Sequence, residues 1–144
     1  MLAWFAAHLW GTKTTAIFDL WSIQHVASGI AISSAVVDGF GSRIRNVLFP
    51  GRTYLFRYAD LLGVLCLAYL WEAVEYALES GQFGSGAAHW YRGIEFWPNR
   101  FIADALLLVL GYIIARRYPR AIAPAFIFAT VWIVSAVVMR TMQL

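Results

Sequence analysis

Residues 58–78 read YADLLGVLCLAYLWEAVEYAL, and this stretch decides the fold. A helix needs ~20 mostly apolar residues to cross the ~30 Å hydrocarbon layer of a bilayer. This one has that length and is apolar around nearly its whole circumference, yet it carries Glu72 and Glu75 in its second half. Working outward, three more stretches have the same character: Ile17–Val37, Pro98–Arg116 and Ala121–Met139. Pro98 suits a helix start, where its missing N–H has no partner in any case. Pro119 falls just past the third stretch, which it cannot continue. Pro124 places a kink near the start of the fourth. The pattern predicts an all-α integral membrane protein, a single domain of four transmembrane helices over residues 1–144. No ten-residue alternation suggests a barrel.

Composition points the same way. Of 144 residues, 61% are hydrophobic and 13% charged, against ~25% charged in an ordinary soluble domain. A chain of this size could not hide so much apolar surface from water. Disorder and nucleic-acid binding are excluded on the same ground. A disulfide scaffold is excluded because Cys66 is the one cysteine; mid-span among apolar neighbours, it reads as a packing residue. Residues Met1–Trp10 are apolar but too short to cross, and no Lys or Arg precedes them as in a signal peptide. They read as a short interfacial helix or as a frayed start to the first span.

Lys and Arg accumulate on cytoplasmic loops. Arg43, Arg45, Arg52 and Arg57 lie between spans one and two, and Arg116, Arg117 and Arg120 between three and four. These seven share a side, against Lys13, Arg92, Arg100 and Arg140 opposite. Both termini are therefore expected outside the cytoplasm, with four crossings. The arginines near Tyr54, Phe56 and Tyr58 read as topology determinants or as contacts for anionic lipid headgroups.

Ionisable residues inside a span are costly and tend to face the bundle interior. With this threading, His25 on span one, Glu72 and Glu75 on span two and Asp104 on span three come to similar depth in the outer half. Glu72, Glu75 and Glu79 stand at i, i+3 and i+7 on one helix face. Arg100 and Asp104 stand at i, i+4, and Gly29 and Gly111 are positioned to permit close helix contacts. Two carboxylates one turn apart require a cation, a shared proton or an arginine.

Three chemistries remain open. His25, Glu72, Glu75 and Asp104 suit a divalent metal such as Zn, Fe or Mn. The same four residues suit metal-free acid/base catalysis on a lipid or polyprenyl-linked substrate. Otherwise Arg100 and His25 neutralise the carboxylates, and the network fixes helix register. Only His25 lies within a span, which argues against bis-histidine haem, and His89 reads as a solvated loop residue beside Trp90 and Tyr91. Residues Ser80–Gly86 read as a flexible outer loop and candidate lid. A proton relay is disfavoured, because Asp38 and Asp60 lie near loop ends and nothing continues the acids through the inner halves.

The segment Asp19-Leu-Trp-Ser22-Ile-Gln-His25-Val-Ala-Ser28-Gly29, then Trp71-Glu72-Ala-Val-Glu75, then Asp104 with Gly111-Tyr-Ile-Ile-Ala-Arg116 and Pro119, resembles a bacterial membrane-protein family of unknown function. More distantly it resembles the VanZ-like proteins. The resemblance covers Asp19 to Pro119. It differs in having Ser28 where the family carries a second histidine, and in a longer loop before Asp104, around Glu95. The resemblance implies a link to envelope-targeting antibiotics and marks out His25, Glu72, Glu75 and Asp104. The expected function is a small envelope-associated membrane protein whose site meets membrane lipids or lipid-linked cell-envelope intermediates. The alternative is an accessory subunit with a membrane-protein partner, or a homo-oligomer.

Overall fold

The computed structural model of the chain describes residues 8–34, 45–47, 50–51 and 56–142, and among them the regular elements are all helical. Helix α1 (Leu20–Ser34) is followed by α2 (Phe56–Glu79), a short α3 (Ser85–Tyr91), a π-helical turn (Asn99–Asp104), α4 (Ala105–Arg117), a 3-10 turn (Pro119–Ala121) and α5 (Ile122–Thr141). The stretches Tyr58–Glu79 and Pro119–Met139 are long and apolar enough to cross a membrane.

Helix α1 starts at Leu20, three residues later than its hydropathy suggests, because Asp19 caps it. The Asp19 carboxylate accepts from the Trp21 and Ser22 backbone N–H groups at 2.7 and 3.1 Å, while Asp19 N–H donates to Ser22 Oγ at 3.0 Å. That reciprocal pair satisfies donors the helix cannot satisfy internally. Residues 35–37 of the expected first span lie outside the described residues. So does most of the expected interfacial helix; of its described end, His8 is helical and Leu9 and Trp10 are not. There the chain folds back, with Phe18 N–H donating to Leu9 C=O and Gly11 N–H to Phe18 C=O, both at 3.0 Å. Of the basic loop between the first two spans, Arg43, Arg52, Tyr54 and the side chains of Phe56 and Arg57 lie outside the described residues.

Helix α1 is central. It packs most closely on α4 and also on α5, and α2 packs on α4. The α1–α4 crossing is a backbone contact. A Cβ on Gly29 would sit 2.1 Å from Leu108 O, and one on Gly111 would sit 2.2 Å from Val26 O. Only glycine fits either position. Below the crossing lies a small core of Val64, Ala68, Leu108 and Tyr112. Val64 and Ala68 take the inward face of α2, so Cys66, two residues along, points outward; it is exposed rather than a packing residue. Pro124 falls in the first turn of α5, where a backbone N–H would have no partner within the helix, and the helix runs on from it. The expected loop at Ser80–Gly86 is a tight turn leading into α3, with Gly81 and Gly84 at positive φ.

The outward faces are apolar. On α5, Phe126, Ile127, Val131 and Val134 are each more than half exposed, and Leu62 and Leu70 on α2 are too. Polar residues occupy the interior instead: Arg100, Glu72, Asn99 and Asp104 are among the most deeply buried side chains.

Candidate functional site

The site is assembled around Arg100. Residues 99–104 wind as a π turn, whose wider i→i+5 pitch keeps Asn99, Arg100, Ala103 and Asp104 all buried. Arg100 Nη2 donates to Glu79 Oε2 at 2.7 Å and lies 3.2 Å from Glu95 Oε2, while its Nε is 3.5 Å from Glu72 Oε2. Its guanidinium carbon also stands 5.5 Å from the centre of the Tyr76 ring. One guanidinium thus faces three carboxylates from two elements, a use suited to its planar fork of donors.

The surrounding loops close onto this hub. Glu79 accepts from the Glu95 backbone N–H at 2.9 Å and from Lys13 Nζ at 2.5 Å. Lys13 is brought there by the N-terminal loop, whose Lys13 C=O accepts from Phe96 N–H at 2.8 Å. Asn99 Nδ2 donates to Glu95 Oε1 at 2.8 Å. Burial, reinforced by the charge of Glu75, pushes the Glu95 carboxyl up from 4.5 to about 7 despite the nearby Arg100.

Beside the hub, His25 bridges two helices. Its Nε2 is 3.2 Å from Asp104 Oδ2 and its Nδ1 is 3.9 Å from Glu72 Oε1. His25, Glu72 and Asp104 each offer a ligand atom within 4.8 Å of the others. Glu75 stands instead in an adjoining group with Glu72 and Glu95, defined by the same spacing. The four residues singled out from sequence therefore fall into two groups that share Glu72.

Two further features frame the site. Gln24 Nε2 donates to Ala129 C=O at 3.2 Å, joining α1 to α5 across an otherwise apolar contact. Next to it a cavity of about 390 Å³ opens between α1, α2 and α5. Its walls include Leu67, Trp71, Ile133 and Val137, and Trp90 and Tyr91 of α3 line it as well. Lys13, His25, Glu75 and Glu95 also line it, whereas Glu72 and Asp104 do not.

Sequence reasoning missed Lys13, Glu95, Asn99 and Gln24 as parts of the site. Glu95, Asn99 and Arg100 form a polar run around Pro98 at the head of an apolar stretch, a signal that could have drawn attention to them. Lys13 carried none, because it arrives through loop–loop hydrogen bonds. His89 is exposed on α3, away from the cavity lining.

Comparison with known protein families, with curated proteins and with solved structures finds no match.

Proposed function

We propose that this is a four-span inner-membrane protein, with both termini outside the cytoplasm, that takes a lipid or lipid-linked envelope intermediate into the cavity between α1, α2 and α5. The observation that carries the reading is the cavity's two-sided chemistry. Its walls match an acyl or prenyl chain, and Lys13, His25, Glu75 and Glu95 gather to meet a polar head. Ligand sites commonly join apolar walls to a few converging polar groups. Four crossings are supported by the exposed apolar faces of α2, α4 and α5. Contiguous patches of that extent are uncommon on a protein surrounded by water. The resemblance to VanZ-like proteins agrees with an envelope role.

Glu75 and Glu95 are the carboxylates placed to exchange a proton with the head group, and Lys13 supplies a cation for an anionic one. Glu72 and Asp104 stand behind them.

Mass spectrometry of the protein released from gentle detergent tests this. The wild-type chain should retain about one lipid or polyprenyl-linked molecule per cavity, as the enclosed volume implies. Ala136→Trp fills the cavity from α5, away from the carboxylates, and should lose the retained molecule while keeping its melting temperature. Glu75→Gln should keep the molecule but abolish its turnover. Equal retention by Ala136→Trp, or no retained amphiphile in the wild type, would remove the basis of the reading.

A further inference from the structure

We infer that His25, Glu72 and Asp104 form a binding site for one divalent transition-metal ion of the zinc, manganese or ferrous type. The inference deepens the reading above. It rests on that reading only for the cavity through which a ligand would reach the ion.

The first argument is the contact between His25 and Asp104. Nε2 and Oδ2 are 3.2 Å apart, yet the contact lacks the geometry of a hydrogen bond, and neither oxygen of Asp104 is met by an N–H donor. Asp104 is fully buried, away from bulk solvent. A buried carboxylate with neither oxygen paired is expensive. Two ligands of one ion adopt this arrangement for a simple reason. Around a centre with bonds of ~2.0–2.2 Å, neighbouring ligand atoms sit ~3–3.6 Å apart, and each points at the ion rather than at the other. Small side-chain rotations would bring Glu72 from its present spacing into the same sphere.

Charge makes the second argument. Glu72, Glu75, Glu79, Glu95 and Asp104 meet only two permanent cations within the described cluster, Arg100 and Lys13. Glu79 alone engages both of them. A divalent ion on the far side of Glu72 offsets charge where neither reaches.

Support for the ligands is the third. Arg100 Nε stands 3.5 Å from Glu72 Oε2, leaving Oε1 on the side facing His25 at 3.9 Å. Polar partners of this kind hold metal-ligating carboxylates in position. One imidazole with two carboxylates is a mixed nitrogen–oxygen set, which favours zinc, manganese or ferrous iron over calcium or cuprous copper. His25 also lines the cavity, whereas the two acids lie behind it. The open side of the ion would therefore face the bound head group.

The test uses full-length protein in mild detergent, stripped with a chelator and titrated with Co(II), Zn(II) and Mn(II) chlorides. We expect about one Co(II) per chain, with visible ligand-field bands that Zn(II) abolishes. His25→Ala and Asp104→Asn should each weaken Co(II) binding by about 100-fold or more, whereas Glu75→Gln should stay within about threefold. His25→Cys keeps a ligand at that position and should add an intense thiolate-to-cobalt band absent from the wild type. That signal does not depend on His25→Ala remaining folded. Uptake well below one ion per chain, uptake unaffected by His25→Ala, or Co(II) bound by His25→Cys without the new band overturns the inference. Retained lipid is measured in the same preparations. Lipid kept without metal overturns the ion alone, and metal kept without lipid overturns the cavity reading alone.

Discussion

The two ends of the α1–α2–α4 bundle handle buried charge in opposite ways. At the end that the proposed threading makes the inner one, Asp60 meets Arg45 through two hydrogen bonds from one guanidinium nitrogen, at 3.0 and 2.8 Å. One acid meets one base, both carboxylate oxygens are occupied, and the apolar core begins one turn away at Val64. At the other end, the outer one in that threading, Glu72, Glu79 and Glu95 share Arg100, Lys13 reaches Glu79, and oxygens of Glu72, Glu95 and Asp104 remain buried without an N–H donor. The inner pair is what a membrane bundle needs to close a helix end. The outer cluster holds more charge than closure requires, and surplus buried charge tends to mark function.

The comparison can be broken most severely at the backbone crossing that separates the two ends. Gly29→Ala would place a Cβ inside the van der Waals shell of Leu108 O. It should cost about 3 kcal/mol or more, or prevent folding altogether, since neither backbone can yield cheaply. Thermal melting in detergent reads the loss, and both ends should fail together.

A smaller effect separates the ends. Arg100→Gln strands Glu72 and Glu95, leaves Glu79 with Lys13 as its one cation among the described residues, and should destabilise by about 3–5 kcal/mol, as when one partner of a buried pair is removed. Arg45→Gln strands Asp60, at a site where the arginine is partly exposed. It should cost about 1–3 kcal/mol. Similar losses from the two variants would mean that the outer network is no more interdependent than the inner pair.

The smallest effect is a pH dependence confined to the outer end. Folded Glu95 keeps its proton up to about 7, against an ordinary 4.5, with Glu75 and Glu79 of α2 and Arg100 of the π turn facing it. Its contribution is therefore fully present below about pH 4.5 and is lost as pH rises through 7. Glu95→Gln should leave stability unchanged at pH 4 and raise it by roughly 1–3 kcal/mol at pH 8, flattening the curve between. A wild-type stability that rises from pH 5 to 8, with no change in Glu95→Gln, would contradict the assignment.

Much of this molecule was legible in its sequence, and the reason is periodicity. Span length and hydropathy located the four longest helices among the described residues, two of which are long and apolar enough to cross a membrane. The i, i+3, i+7 spacing put Glu72, Glu75 and Glu79 on one face. His25 and Asp104 were expected at similar depth, and their side chains do meet. Gly29 and Gly111 were recognisable as small residues at a helix contact. What escaped has no period. The α3 helix is seven residues long and sits among glycines, so composition favoured a loop. Asp19 looked like one more charge near the surface and is a helix cap. Glu95 and Lys13 enter through hydrogen bonds between two irregular segments, which no local pattern encodes. The division of Glu72 and Glu75 between two groups depends on which way each side chain leans, a detail finer than helical register.

The π turn at Asn99–Asp104 has a consequence for how this chain tolerates change. A wide turn of this kind is equivalent to one additional residue accommodated within an otherwise regular helix. Removing a single residue there would let the backbone relax into ordinary α geometry, a local gain. Everything before the deletion would then swing by about 100° around the helix axis. Arg100 would leave Glu79 and Glu95 behind while Asp104 kept its place beside His25. Indels in this short stretch should therefore be tolerated far less well than point substitutions, although no regular secondary structure would be lost.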